Sequence, residues 1–168
     1  KQADDPLIAL LVQGRVFQNW DQRELGMANK IVVRAISLAT GATPEKLEKT
    51  WKETGDLGKT TEKLMEKKTQ ASLFSSALTV KKVFDNLHKI AELQGTGSVE
   101  RKIQLVAELL TSAKPSEAKY IVRTTLGDLR VGLGDGTIRD ALVWAFFGKE
   151  AGIKHDEKTD EITIENRE

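Results

Sequence analysis

The sequence predicts an all-α fold, a compact multi-helix domain with an approximate internal two-fold repeat, and three observations predict it. Apolar residues recur at three- and four-residue spacing along most of the chain. Helix caps and stops fall where those stripes begin and end. Only "EITIE", residues 161 to 165, alternates like a strand, and it is short enough for an edge strand or merely extended chain.

In chain order, Ile31 to Leu38 form a helix that Gly41 ends. Thr43 with Pro44 is a cap and first-turn pair opening a helix that carries Leu47 and Trp51. Gly55 ends it, and Asp56 caps the next, whose first turn holds Gly58 and Lys59. Thr79 caps a helix with the stripe Val80, Val83, Phe84, Leu87, Ile90 and Ala91. Ser98 does the same for Val99, Ile103, Val106, Ala107 and Leu110. Pro115 opens a helix facing Ala118, Ile121, Val122 and Leu126 inward, with Gly127 as its stop. Thr137, with Asp140 three residues on, fits a capping box for an almost wholly apolar last helix. Setting residues 24–36 over 130–142 matches Gly26 to Gly132, Asn29 to Asp135 and Ala35 to Ala141, so each copy is a glycine turn feeding a buried helix.

A chain of 168 residues, 39% hydrophobic and 30% charged, suits one domain or two small halves sharing a core. No run of eighteen apolar residues and no secretory leader is present, so no membrane association is expected. The lack of cysteine excludes disulfides and zinc-thiolate sites and is compatible with an intracellular protein. His88 and His155 have no metal-ligand spacing. The net charge of +1 is unevenly spread: residues 59–89 hold seven Lys/Arg against three acids, 101–139 seven against four, and 148–168 four against seven. The two basic blocks suit a polyanion, or are ordinary solvated helix faces.

The stretch "GDLRVGLGDGTIRDALVWAFF", 127 to 147, crowds Gly127, Gly132, Gly134 and Gly136 around Arg130 before a helix whose first amides sit at its positive end. The same logic recurs at "TGDLGKTTEKLM", with Gly58 and Lys59, and at "GTGSVERK", with Gly97, Ser98 and Lys102. Three such turns beside cations favour binding of duplex backbone without base reading, over a set of ligand-free corners. Catalytic patterns are missing: "GLGDG" is no dinucleotide fingerprint, and neither a phosphate-loop lysine nor a Gly-x-Ser-x-Gly elbow occurs. In "KKTQASLFSSALTV", Gln70, Leu73 and Phe74 form a polar hook followed by two large apolar groups, read either as a loop anchor or as a docking segment.

Four blocks, "RELGMANKIVVRAISLATG", "GDLGKTTEKL", "LTVKKVFDNLHKIAELQGTGSVERKIQLVAELL" and "EAKYIVRTTLGDLRVGLGDGTIRDALVWAFF", together resemble the N-terminal DNA-binding domain of ATP-dependent DNA ligases, most closely the archaeal replicative type. The likeness runs from about Leu10 to Phe147, so residues 1–147 are expected to be that domain and 148–168 an acidic tail, loop or hairpin. It also implies that the chain begins and ends inside the family's usual domain. The resemblance implies a monomer that clamps nicked duplex DNA across its minor groove, in a parent enzyme sealing nicks in replication, repair and recombination, in the cytoplasm with the nucleoid.

Carried over by position, Gly127, Arg130, Gly132 and the turn through Gly134 and Gly136 to Thr137 lead the contact candidates. Gly97, Ser98 and Lys102 come second, and Gly26 with its neighbours third. Asp128 stands where some relatives have a basic residue. "QASLF" is similar to a sliding-clamp box, with Leu73 where an aromatic is usual. Such ligases take AMP from ATP, with magnesium, on a lysine in Lys-x-Asp-Gly; "KTDE" at 158–161 lacks the glycine, so no cofactor and no sealing are expected of this chain alone. The rival is a helical protein-interaction scaffold docking a sliding clamp through Gln70 to Phe74.

Overall fold

A computed structural model describes residues 6–18, 20–66, 78–129, 134–150, 152–156, 159 and 161–164. Its elements are α1 (Pro6–Val12), α2 (Asn29–Thr40), α3 (Pro44–Thr54), α4 (Leu57–Glu66), α5 (Val80–Glu92), α6 (Ser98–Ser112), α7 (Pro115–Thr125), α8 (Asp135–Phe147), β1 (Ile153–Asp156) and β2 (Glu161–Ile164). The strands form an antiparallel hairpin pairing Ile153 with Ile164 and Asp156 with Glu161, so the alternation of "EITIE" is that of a strand. The chain divides into two units, 1–130 and 131–168, which groups α8 with the hairpin.

The core of the first unit comes from one stripe of each main helix. Val32 and Ile36 of α2, Leu47 of α3, Leu87 and Ile90 of α5, Val106, Leu109 and Leu110 of α6 and Val122 of α7 are fully buried. Each such side chain contributes about 1.5–3 kcal/mol on burial. Two expected stripe residues, Val80 and Val99, stay exposed in the first turns of their helices.

The expected caps hold at several ends. Thr43 accepts from the Lys46 amide, Thr79 accepts from Lys82, and Gly41 and Gly55 stop their helices at φ 70° and 65°. Two expected caps are corrected. α8 begins from Gly134 rather than Thr137, since extended backbone at Gly134 (φ −81°, ψ 163°) turns the chain into the helix early and leaves Thr137 inside the first turn. α6 begins at Ser98 itself, because Gly97 at φ 79° holds the cap position and no side chain caps it.

The α4–α7 pair carries the tightest seam. Gly58 is buried there, and a Cβ on it would lie 2.7 Å from the Lys119 carbonyl oxygen and 2.9 Å from Arg123 Cγ. Asp56 crosses the seam, with Arg123 Nη2 donating to its Oδ2 at 3.0 Å, and Lys119 meets Glu62 at 3.1 Å. Thr60, Thr61 and Thr125 are buried polar residues whose hydroxyls donate to carbonyls one turn back, at 2.7–2.8 Å.

Candidate nucleic-acid interface

Residues 14–18, 21 and 23–28, together with Thr124 to Gly127, line an open groove of about 780 Å³ in the first unit. The segment between α1 and α2 has no regular secondary structure in its described residues, yet it is fixed by buried Val16, Phe17 and Met27. Gly14, Gly26 and Gly127 line the groove with φ of 74°, 59° and 69°, left-handed conformations that favour glycine. A smaller cavity of about 120 Å³ shares Leu126 with it and brings in Asn29 at the start of α2, Gly55 to Gly58 at the start of α4, Arg123 and Asp128. Two of the glycine turns read from the sequence, at Gly26 and Gly127, therefore meet in one groove, and the Gly55–Gly58 turn abuts it.

The Gly127 turn closes α7 as a Schellman motif: the Asp128 amide donates to the Arg123 carbonyl at 2.9 Å and the Gly127 amide to Thr124 at 3.1 Å. Arg123 is thus held at both ends, by its carbonyl to the turn and by its guanidinium to Asp56. Asp56 Oδ1 also accepts the Lys59 amide at 2.8 Å, so α4's first turn is already capped by a carboxylate. No side chain caps α2; its Ile31 and Val32 amides both donate to the Ala28 carbonyl, at 2.9 and 3.2 Å, which leaves the Asn29 and Lys30 amides at the helix start close to Gly26 in the chain.

Across the groove wall, Lys102 Nζ donates to the Leu25 carbonyl at 3.0 Å and would lie 3.4 Å from a Cβ on Gly26, tying α6 to that turn. Arg34 Nη2 pairs with Glu100 at 2.8 Å beside it. Arg23 stacks 4.3 Å over Phe17, whose ring lies 4.4 Å from that of His88. The Arg23 side chain, and then its amide, hydrogen-bond Asp21 and hold its carboxyl down at about 2. The same pairing raises Arg23.

Of the residues singled out by sequence, Gly127 lines the groove, Gly97 and Ser98 form the start of α6, and Lys102 reaches inward to Leu25. Gly58 is buried in the α4–α7 seam, while Lys59 is exposed. Gly134, Gly136 and Thr137 make the first turn of α8 in the second unit. Arg130, Gly132, Gln70, Leu73 and Phe74 lie outside the described residues. Sequence reasoning passed over Gly14, Phe17, Arg23 and the partner of Asp56. The signal of the first three was present in "GRVFQNWDQRE", a glycine-led mixture of arginines and aromatics without helical period. Among the described residues no cluster of acids and histidines is arranged to hold a metal ion, and no helix is long and apolar enough to cross a membrane.

A family model described as "DNA ligase N terminus" matches residues 1–143. A DNA ligase of Thermococcus fumicolans is 46% identical over 140 residues, 83% of this chain and 25% of that protein. One of Nanoarchaeum equitans is 50% identical over 137 residues, 82% of this chain and 24% of its own, and one of Methanothermobacter thermautotrophicus 43% over 141, 84% and 25%. The chain spans about a quarter of the length of these curated relatives.

Proposed function

The chain belongs to the DNA ligase N-terminus family, and from that premise we propose that it grips nicked duplex DNA by its sugar-phosphate backbone, across the minor groove, for a ligase whose other domains seal the nick. The observation that carries this reading is the meeting of the Gly26 and Gly127 turns in one groove, beside the uncapped start of α2. Glycine backbones admit a phosphate closely, and free amides at a helix start attract it. Arg130 and Lys59 supply charge, and contacts of this kind fix position without reading bases. The parent is proposed to act in replication, repair and recombination in the cytoplasm.

No Lys-x-Asp-Gly occurs in this chain, so ATP and magnesium are assigned to other parts of the parent enzyme. Clamp docking by Gln70, Leu73 and Phe74 rests on "QASLF" alone; Phe74→Ala then weakens sliding-clamp binding and spares duplex affinity.

The test is fluorescence anisotropy of a nicked duplex with wild type and Arg130→Ala at several salt concentrations. Engagement of four or five phosphates gives a slope of log affinity against log salt of roughly −4. Loss of Arg130's charged contacts costs about 1.5–3 kcal/mol for any DNA sequence. A flat salt response, or no binding by folded protein, overturns the reading.

A further inference from the structure

We propose that Trp20 is a stacking platform for a nucleobase of the bound nucleic acid, an inference that rests on the duplex-binding reading above. Trp20 is 81% exposed, the highest value among the exposed large hydrophobic side chains of the described residues. It is presented by firm structure. The Asp21 amide donates to the Gln18 carbonyl at 3.0 Å, closing a turn with Trp20 inside it. Asp21 then accepts from the Arg23 amide at 3.0 Å and pairs with its guanidinium. On either side of this turn, Phe17 and Met27 are buried. Gln18 and Asp21, on either side of Trp20 in the chain, line the groove, which brings Trp20 next to the proposed DNA site.

The surroundings select a base over a protein partner. Surfaces that dock proteins are marked by contiguous exposed apolar patches. Around Trp20 the chain is polar, with Gln18, Gln22, Arg23 and Glu24 all exposed. The other exposed large hydrophobics of this unit, Val12, Leu38, Val80, Val99 and Tyr120, are distributed one to a helix over five helices. A single rigid ring with cations on its own segment matches a single π-face on a polyanion. In intact duplex each base face is covered by its neighbour, so the base that stacks on Trp20 is one lifted from the stack at the nick, and such stacking is independent of sequence.

Nicked-duplex affinity of the 168-residue chain is measured across a salt series for wild type, Trp20→Ala and Trp20→Phe, with thermal melts by circular dichroism confirming the fold. The expected result is roughly tenfold weaker binding by Trp20→Ala, most of it restored by Trp20→Phe, with an unchanged salt slope because no phosphate contact is lost. Equal affinity of Trp20→Ala and wild type overturns the inference and leaves duplex binding standing. Trp20→Phe as weak as Trp20→Ala, or a shallower salt slope in the alanine variant, also overturns stacking. A folded wild type that binds no duplex overturns the underlying reading itself.

Discussion

Removing the Asp56 carboxylate tests the link between the α4–α7 seam and the turn that lines the groove. In Asp56→Ala, Arg123 keeps its charge with its side chain only 10% exposed and loses the oxygen 3.0 Å from Nη2. Stranding one member of a buried pair costs about 3–5 kcal/mol. The same carboxylate caps α4 through the Lys59 amide at 2.8 Å, a contact worth about 1 kcal/mol by itself. Since one group makes both contacts the terms overlap, and the expected loss is about 4 kcal/mol, a large part of a typical domain's 5–15 kcal/mol. The assay is urea unfolding followed by far-UV circular dichroism, compared at a common slope. Arg123→Met in the same background removes the stranded charge and restores about 2 kcal/mol. A loss below about 1 kcal/mol, as an exposed bridge gives, refutes the reasoning. So does a double variant no more stable than Asp56→Ala.

Lys102→Met keeps the aliphatic stem but removes the donor to Leu25, and is expected to destabilise by about 1–2 kcal/mol; an unchanged melting curve contradicts the tie across the groove wall. Thr79→Ala loses a working cap and about 1 kcal/mol, whereas Thr137→Ala, inside the first turn of α8, stays within about 0.5 kcal/mol; equal losses in chemical denaturation would restore Thr137 as a cap. Asp21 is expected to titrate near pH 2 in a carbon-detected NMR series. Its carboxyl is depressed on folding, so its contribution is complete above the unfolded value near 4 and is lost as pH falls through about 2. A midpoint near 4 would show the Arg23 contacts absent in solution.

Helix ends were legible wherever one residue both caps and stands at the end of an apolar stripe, as at Thr43-Pro44, Thr79 and Gly55. The start of α8 was misread because Gly134, in extended backbone, takes the cap position three residues before the residue with the capping side chain. α1 was missed, being only seven residues long, too short for periodicity to separate it from an apolar loop. The groove itself was not legible. Asp56 and Arg123 are 67 residues apart and Lys102 and Leu25 are 77 apart, so their pairing exists only through packing of α2, α4, α6 and α7. The sequence could name the Gly26 and Gly127 turns singly, but only the fold makes them neighbours.

α8 bears on how any of these measurements is carried out. Leu142, Val143, Trp144, Phe146 and Phe147 are all exposed, spread around the helix rather than gathered on one side. A cylinder with no preferred wet side has no orientation that satisfies water, and the salts that precipitate proteins act on such surfaces by being excluded from them. Both chloride and sulfate loosen phosphate contacts at a given ionic strength, but sulfate also favours association through such a helix. A slope that differs between the two anions would therefore separate self-association from DNA binding.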